Sequence, residues 1–393
     1  DFRSPTNMTD AQIGFAAAKY RIVSLEKCSG QVSGIFTEDY IYATAARLKR
    51  ADPAIKVMFY LNTGLAEPTF DCYRAARTYH EHPEWRVRAD NGSFIPNTLD
   101  WQNADARSWW VSIPLGGTNG TGFWGGTPVA SLIDGVLADG ASWWRAPAPW
   151  SVSVPRLEAL YDAHMRMLGE LQSVFDSDTN GSIVMGNGIS MYSPPNADPR
   201  ASRYQHGAEL LDFASAAMNE HTAAFESVNR ANASLNVETV KTNMQIIDEA
   251  LRRDNGSRIV FVQTWPGLYA GVQEYPPVEN GGEPTPRTNA EWRDALRSHY
   301  AFAQALFLSV AESNAYWFYG GTWYASNTGI IDCPEDRTAC PSPPEWYPDM
   351  QKPLGKPLGV REEVAPYVWT RAFEHASVRL DLNSPNESWT RFH

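Results

Sequence analysis

Short runs of β-branched and aromatic residues alternate with longer amphipathic stretches along most of the chain, and this alternation limits the possible folds. The short runs are typical of buried strands, and there are eight of them: residues 21–27, 55–62, 97–101, 134–139, 182–187, 214–220, 258–265 and 315–320. Apolar residues recur at helical spacing between them, in residues 38–50, 104–111, 154–175, 237–253 and 291–313. Repeated strand-helix units place the strands parallel in one sheet.

Eight strands with intervening helices predict an α/β fold, a closed (β/α)8 TIM barrel over residues 1–359. An open doubly wound sheet is the alternative, but no Gly-x-Gly-x-x-Gly turn follows the first strand. Residues 371–382 alternate enough to form a strand outside the barrel. We therefore expect residues 360–393 to be a small C-terminal β extension packed on the barrel.

Glycine, proline and tryptophan concentrate after three of the predicted strands, in residues 142–155, 266–288 and 321–359. In a parallel barrel these loops lie at the C-terminal face, where enzymes of this architecture build their active sites. The long loops predict that this face is functional, and the alternative is that they are insertions without a role.

The composition excludes several classes of partner. The chain of 393 residues has a formal charge of -12, which repels nucleic acid, and it contains no block of basic residues. No apolar run is long enough for a membrane-spanning helix. The chain starts at Asp1 without an apolar leader, so an exported protein would have lost its signal peptide. The oligomeric state stays open.

Glycosylation sequons and cysteines suggest a eukaryotic secretory protein, secreted or at the cell surface. Seven asparagines stand in Asn-x-Ser/Thr sequons: Asn7, Asn91, Asn119, Asn180, Asn232, Asn255 and Asn386. Any one of them could be an ordinary turn sequence instead. The four cysteines form an even set, and we expect disulfides Cys28–Cys72 and Cys333–Cys340. Their spacing does not fit a metal site.

Polar residues recur where the predicted strands end, and in a barrel they would converge on one pocket. They are Glu26, Asn62, Asp100, Asp139, Asn187, Glu220, Gln263 and Tyr319. Any single one could instead cap a helix or accept a backbone hydrogen bond. Together they predict a polar site that binds a substrate.

Glycoside hydrolysis needs two carboxyl groups, one ionised and one protonated. Asp139 is the candidate for the ionised group, because it ends a buried strand and precedes Gly140, which allows close approach of a substrate. Glu220 is the candidate acid, because its apolar neighbours favour the protonated form, and Glu226 is the reserve. The alternative for Glu220 is a carboxylate at a helix start.

Aromatic side chains are abundant near the predicted active face, with 15 tryptophans and 17 tyrosines in the chain. Flat rings stack on the C–H faces of sugars, so a carbohydrate fits this surface best. We expect Trp101, Trp143, Trp144 and Trp265 to line the sugar site. No sequence pattern for nucleotide, metal or nucleophile-elbow chemistry stands out, and hydrolysis without a cofactor is the simplest scheme.

Several segments of the chain resemble glycoside-hydrolase-like barrel families of secreted proteins. The similar stretches occur in the same order over residues 15–382 and comprise 82–85, 90–92, 99–103, 109–110, 134–140, 186–188, 354–357 and 371–374. The resemblance implies a (β/α)8 barrel that acts on a polysaccharide, with the fourth-strand aspartate, here Asp139, as catalytic carboxylate. By analogy with the α-galactosidase-like clan it also implies retention of configuration, with Asp139 as nucleophile.

The sequence thus predicts a secreted glycoside hydrolase that cleaves a polysaccharide or oligosaccharide, without a cofactor, through Asp139 and a second carboxylate. The alternative is a carbohydrate-binding or structural glycoprotein on the same scaffold that has lost catalysis. The sugar, its linkage and the endo or exo mode of action stay open.

Overall fold

The computed structural model of the protein describes two compact units. The first unit comprises residues 1–218 and 334–341, and the second comprises residues 219–333 and 342–393. The described residues are 7–27, 34–67, 69–73, 78–95, 97–116, 122–141, 152–178, 182–189, 207–220, 222–223, 228–229, 234–264, 289–319 and 346–393.

The first unit is built on parallel strands with helices between them. Its strands are β1 (Ile22–Leu25), β2 (Lys56–Asn62), β3 (Phe123–Trp124), β4 (Thr127–Pro128), β5 (Gly135–Asp139), β6 (Ile183–Asn187) and β7 (Ala216–Asn219). Strands β1, β2, β5, β6 and β7 pair in parallel in that order, and β3 pairs with β4 as a short antiparallel ribbon. Parallel pairing requires a crossover connection between strands, and helices lie in the connections from β1 to β2, from β2 to β5 and from β5 to β6.

Five α-helices lie in the described part of the first unit, and side chains cap the first and the fourth of them. The helices are α1 (Asp10–Lys19), α2 (Thr37–Ala51), α3 (Thr78–Glu81), α4 (Ala104–Ser112) and α5 (Val154–Asp178). Thr9 and Gln12 form a capping box at the start of α1, and the Asn103 side chain accepts backbone N–H groups at the start of α4. These caps satisfy N–H groups that a helix leaves unpaired at its first turn.

The strands at the centre of the first unit are buried along almost their whole length, as parallel strands covered on both faces require. Strand β5 comes very close to β6 at Gly135, where an added Cβ atom would lie 1.9 Å from the carbonyl oxygen of Ile183. Only glycine fits at this position without a shift of the backbone. The close approach fixes the start of the strand that carries Asp139 at its other end.

The second unit combines parallel strands, two long helices and an antiparallel sheet. Its elements are β8 (Val228–Asn229), β9 (Ser234–Leu235), α6 (Val237–Arg252), β10 (Ile259–Thr264), α7 (Asn289–Val310), β11 (Ala315–Tyr319), β12 (Glu362–Ala365), β13 (Val368–Ala372), β14 (Ala376–Asp381) and β15 (Trp389–Phe392). Strands β10 and β11 are parallel, and β12 to β15 form a four-stranded antiparallel sheet.

The antiparallel sheet is attached to the helices of the same unit by buried and partly buried polar contacts. Arg371 of β13 donates to the carbonyl oxygens of Leu308, Ser309 and Ala311 at the end of α7. Arg361, just before β12, makes two hydrogen bonds of 2.7 Å to Asp248 of α6. The segment predicted as a β extension is therefore a sheet packed on the two helices of the second unit.

Seven of the eight predicted strands are confirmed, and the fold is α/β as expected. The described residues do not contain an eighth parallel strand, so closure into a full barrel stays a prediction. The strand predicted at residues 97–101 is wrong, and β2 pairs directly with β5. Asp139 accordingly ends the third parallel strand of the chain and not the fourth.

Residues 97–101 form turns because their polar side chains bond to nearby backbone. Asn97 adopts a φ of 56°, which interrupts an extended strand. The Thr98 hydroxyl donates to the Ile95 carbonyl oxygen, and the Asp100 carboxylate accepts the Gln102 N–H. Such local bonds compete with sheet pairing, and the alternating sequence alone does not reveal them.

Candidate active site

The candidate active site lies at the carboxyl ends of four neighbouring parallel strands of the first unit. Lys27 follows β1, Tyr60 and Asn62 belong to the end of β2, Asp139 ends β5 and Asn187 ends β6. Parallel strands bring these ends to the same edge of the sheet, where enzymes of α/β architecture bind ligands. Asn62 and Asp139 are direct partners in the register of β2 and β5.

The Asp139 carboxylate accepts hydrogen bonds on both oxygens. Oδ1 accepts from Asn187 Nδ2 and from the Gly140 backbone N–H, each at 2.8 Å. Oδ2 accepts from the Tyr60 hydroxyl at 2.5 Å and from Asn62 Nδ2 at 3.2 Å. The side chain is still 19% exposed, so a ligand can reach it.

Charge around Asp139 favours its ionised form. Burial raises the pKa of this carboxyl, but the Lys27 ammonium and the hydrogen bonds from Tyr60, Asn187 and Gly140 outweigh burial and hold the pKa below its usual value. Lys27 Nζ lies 3.4 Å from Oδ2 of Asp139. An aspartate in this setting is charged at neutral pH and can act as a nucleophile or a base.

Lys27 is the cation of the site and has several partners. Its Nζ lies 2.6 Å from the Tyr60 hydroxyl, 3.5 Å from Glu26 and 4.2 Å from the centre of the Tyr60 ring. Glu26 is almost fully buried beside it. A buried carboxylate next to the ammonium offsets part of its cost of burial and fixes its position.

Tyr60 lies at the centre of the polar network. Burial raises the pKa of its phenol well above the usual value, and the nearby charges of Asp139, Glu67 and Glu26 raise it further. The hydroxyl therefore stays protonated at neutral pH and donates to Asp139. The same hydroxyl lies 3.4 Å from Oε1 of Glu67, in the loop after β2.

The loop after β2 is held tightly against the site. Asn62 Oδ1 accepts the backbone N–H groups of Gly64 and Leu65 at 2.9 and 2.8 Å. Thr63 donates to the Asp139 carbonyl oxygen from both its N–H and its hydroxyl group. These bonds fix the path of the chain from the strand end to Glu67.

Gly140 is required directly after Asp139. Its φ of 68° lies in the left-handed region, which other residues rarely adopt, and its N–H donates to the Asp139 side chain. A Cβ atom here would lie 3.4 Å from Oδ1 of Asn62. The turn at Gly140 thus positions the carboxylate and leaves room beside Asn62.

The structure brings together four of the residues predicted to form the site, either in direct contact or through Lys27. Asp139 bonds to Asn62 and Asn187 directly, and Glu26 reaches it through Lys27. No role in catalysis or substrate binding follows from these contacts alone, so the assigned roles stay predictions.

Two other predicted residues of the first unit lie differently from expectation. Trp101 is fully buried, donates from its indole N–H to the Thr63 carbonyl oxygen and packs against Trp110 and His164. It is therefore a core residue with no free face for a sugar, because it follows a turn and not a strand. Asp100 is half-buried in the same turn, and burial raises its pKa.

The remaining predicted residues belong to the second unit or lie outside the described residues. Gln263 and Tyr319 are buried at the ends of β10 and β11, and Glu220 is half-buried directly after β7. Trp143, Trp144, Trp265 and the reserve acid Glu226 lie outside the described residues. The assignment of Glu220 as acid stays a prediction.

The cysteine and sequon predictions have mixed outcomes. Cys72 is a buried free thiol, so the predicted Cys28–Cys72 disulfide is wrong for this structure. The Glu38 carboxylate, which accepts the Cys72 N–H, lies beside it, and burial raises the pKa of the thiol well above its usual value. Cys28 and the pair Cys333–Cys340 lie outside the described residues.

Among the sequons, Asn7, Asn91, Asn255 and Asn386 are exposed, and Asn119, Asn180 and Asn232 are not described.

Sequence reasoning missed three side chains of the site: Lys27, Tyr60 and Glu67. Tyr60 could have been found, because it stands two residues before Asn62 and so faces the same side of β2. Lys27 directly follows Glu26 at a strand end, which was a weaker signal. Glu67 lies in a loop, and no periodicity places a loop residue.

Comparisons with known proteins find only distant similarity. No protein-family model matches the sequence, and no curated protein sequence matches it. By structure, the chain is similar to the glycoside hydrolase domain of PelA from Pseudomonas aeruginosa, with 14% identity and a TM-score of 0.45 over 80% of this chain and 93% of that one. It is also similar to an α-amylase from Lactobacillus plantarum, with 11% identity and a TM-score of 0.46 over 86% and 70% of the two chains.

A third similar structure is the maltogenic α-amylase AmyB from Thermotoga neapolitana, with 10% identity and a TM-score of 0.46 over 93% of this chain and 72% of that one. TM-scores at this level identify neither a family nor a substrate.

Within the described part of the chain, no helix combines the length and apolar composition needed to cross a membrane, and no group of three or more potential metal ligands occurs.

Proposed function

We propose that the protein is a glycoside hydrolase in which Asp139 is the ionised carboxylate that attacks the sugar. The observation that carries this proposal is the setting of Asp139. Its carboxylate ends a buried strand, remains partly exposed, and is oriented by four hydrogen-bond donors and one ammonium group. This arrangement keeps a carboxylate charged, rigid and within reach of a substrate.

The chemistry we propose is retaining. An oxygen of Asp139 attacks the anomeric carbon while the glycosidic C–O bond breaks and a second carboxyl group protonates the departing oxygen. Water then attacks the anomeric carbon, loses a proton to that second group and releases Asp139. The donors around Asp139 favour its charged form before attack and again after release.

A carbohydrate-binding protein without catalysis is the second candidate. The carboxylate and the amides of Asn62 and Asn187 would suit hydroxyl groups of a bound sugar equally well, since both kinds of group form hydrogen bonds with hydroxyls. This candidate predicts saturable glycan binding and no release of product.

The test is hydrolysis of a panel of polysaccharides and oligosaccharides by the wild-type protein and by Asp139→Asn. Loss of a covalent nucleophile lowers kcat/KM by about 10⁴-fold or more, and we expect a loss of this size. Asp162→Asn is the matched control, because Asp162 is exposed on α5. A loss of less than tenfold in Asp139→Asn would refute the role of nucleophile.

We also propose that the protein is secreted and N-glycosylated. Four of the seven sequon asparagines have exposed side chains, as attachment of a glycan requires. Treatment of the protein from a eukaryotic secretory host with an N-glycosidase tests this. A shift in mass is expected, and an unchanged mass would contradict the proposal.

A further inference from the structure

We infer that Glu67, in the loop after β2, is the second carboxyl group of the reaction and acts as its general acid and base. This inference rests on the proposed function and names a residue that the sequence did not single out. It differs from the sequence-based assignment of Glu220, and the experiment below separates the two.

The distances place Glu67 beside Asp139. The Tyr60 hydroxyl lies 2.5 Å from Oδ2 of Asp139 and 3.4 Å from Oε1 of Glu67. The two carboxylate oxygens are therefore at most about 6 Å apart, and the carboxyl groups of retaining glycosidases stand about 5 to 5.5 Å apart. Inverting enzymes keep a wider gap, which must hold the attacking water.

The Tyr60 hydroxyl lies between the two carboxyl groups and is closer to Asp139. A phenol has one proton to donate, and the short contact to Asp139 uses it. The phenol oxygen accepts from Lys27 Nζ at 2.6 Å. The same oxygen also accepts from Asn62 Nδ2 at 3.4 Å, and its contact to Glu67, at 3.4 Å, is longer than the contact to Asp139. To act as general acid, Glu67 must carry a proton, and the inference includes this protonation.

The backbone around Glu67 is held in place by hydrogen bonds. The residue is half-buried, and Oε2 of its carboxyl group is buried. The Ala66 N–H donates to the Asn97 carbonyl oxygen at 2.8 Å, and the Phe70 N–H donates to the Glu67 carbonyl oxygen at 3.1 Å. These backbone bonds hold the loop on both sides of Glu67, which keeps its carboxyl group beside Tyr60.

The charged groups that face the pair come from two strand ends. Glu26 and Lys27 follow β1, while Asp139 ends β5, and Tyr60 separates Asp139 from Glu67. Lys27 contacts Asp139 directly, so the cation favours ionisation there, and the Tyr60 proton is directed to the same carboxylate. Asp139 therefore has the partners that an ionised nucleophile needs, and the inference assigns the role of proton donor to Glu67.

In the first step Asp139 forms a bond to the anomeric carbon, the glycosidic bond breaks and the Glu67 proton passes to the leaving oxygen. In the second step Glu67 takes a proton from water, the water oxygen bonds to the anomeric carbon and the bond to Asp139 breaks. Glu67 ends protonated and Asp139 ends ionised, so both steps balance without any other reactant.

The experiment measures kcat/KM of the Glu67→Ala and Glu67→Gln variants on two aryl glycosides of the sugar that the panel identifies. One glycoside has a poor leaving group, and the other has dinitrophenol as its leaving group. We expect kcat/KM to fall by about 10² to 10⁴-fold for the poor leaving group and little for dinitrophenol, which departs without a proton. Added azide should restore turnover of Glu67→Ala and give a glycosyl azide of retained configuration.

The controls keep each outcome decisive. Glu81→Gln, an exposed carboxylate at the end of α3, should match the wild type. If Glu67→Ala does not fold, Glu67→Gln replaces it in the test, because glutamine has the same size as glutamate. We then expect the pH profile of kcat/KM to lose its basic limb in Glu67→Gln. Three results would each overturn the inference. The Glu67 variants could react at nearly wild-type rates, or they could lose the same factor on both substrates. Alternatively, Glu220→Gln could show the dependence on the leaving group while the Glu67 variants do not. Full activity of Asp139→Asn would mean that the proposed function itself has failed.

Discussion

At the scale of single residues, the site depends on one cation. Lys27 is the only positively charged group that contacts Asp139 among the described residues, and its ammonium favours the ionised carboxylate. Three acidic side chains lie near Lys27. Glu26 and Asp139 contact it directly, and Glu67 contacts the Tyr60 hydroxyl, to which Lys27 also donates. The charge of Asp139 at a given pH therefore depends strongly on this lysine.

Lys27→Met should move the acidic limb of the kcat/KM profile to higher pH. The limb reports ionisation of Asp139, whose pKa is lowered by Lys27, so removal of the ammonium raises that pKa. A shift of about one unit or more is expected, because a neighbouring opposite charge typically shifts an aspartate by about 1 to 3 units. Lys27→Arg keeps the charge and should keep the limb near its original pH. The same acidic limb in Lys27→Met and the wild type would show that Lys27 does not control the carboxylate.

At the scale of elements, strands β5 and β6 set the position of Asp139 and Asn187 together. Their close contact at Gly135 leaves no space for a side chain, since the nearest atom is backbone. A larger residue would have to push the strands apart, and the site at their other ends would loosen with them.

Gly135→Ala should destabilise the protein by at least about 2 kcal/mol, because the added Cβ atom would overlap the Ile183 carbonyl group. Gly14→Ala is the matched control, since Gly14 lies in α1 with open space around it, and alanine favours a helix by up to about 1 kcal/mol. Urea unfolding followed by tryptophan fluorescence measures both. Equal stability of Gly135→Ala and the wild type would contradict the close packing of β5 on β6.

At the scale of the whole molecule, the four-stranded antiparallel sheet of β12 to β15 packs on the helices of the second unit. Arg371 reaches three carbonyl oxygens at the end of α7 and also the Glu312 carboxylate, and its side chain is almost fully buried. Such an arginine replaces the hydrogen-bond partners that the last turn of a helix lacks.

Arg371→Met should lower stability by about 3 kcal/mol, because the buried carbonyl groups lose a charged donor. Arg391→Met, on the exposed side of the same sheet, should change stability by no more than about 0.5 kcal/mol. Thermal unfolding of the two variants side by side measures the difference. Similar midpoints would show that Arg371 is not essential to the attachment of the sheet.

Much of the fold could be predicted from the sequence, and the site could be predicted in part. Buried parallel strands are short apolar runs, so seven of eight were found, and their ends led to Asp139, Asn62 and Asn187. The strand predicted at residues 97–101 was wrong, because the side chains of Thr98 and Asp100 bond to nearby backbone. These bonds form turns, although the sequence alternates as in a strand. Glu67 was out of reach because only the folded loop brings it to Tyr60.

Covalent trapping tests the central claim most directly. The protein would be incubated with 2-deoxy-2-fluoro glycosyl fluorides of the sugars it cleaves, which slow release of a glycosyl intermediate, and its peptides would be mapped by mass spectrometry. We predict one added sugar, attached to Asp139, and no label in Asp139→Asn. A label on another residue, or rapid hydrolysis of unmodified substrates without any label at Asp139, would contradict the assignment of Asp139 as nucleophile.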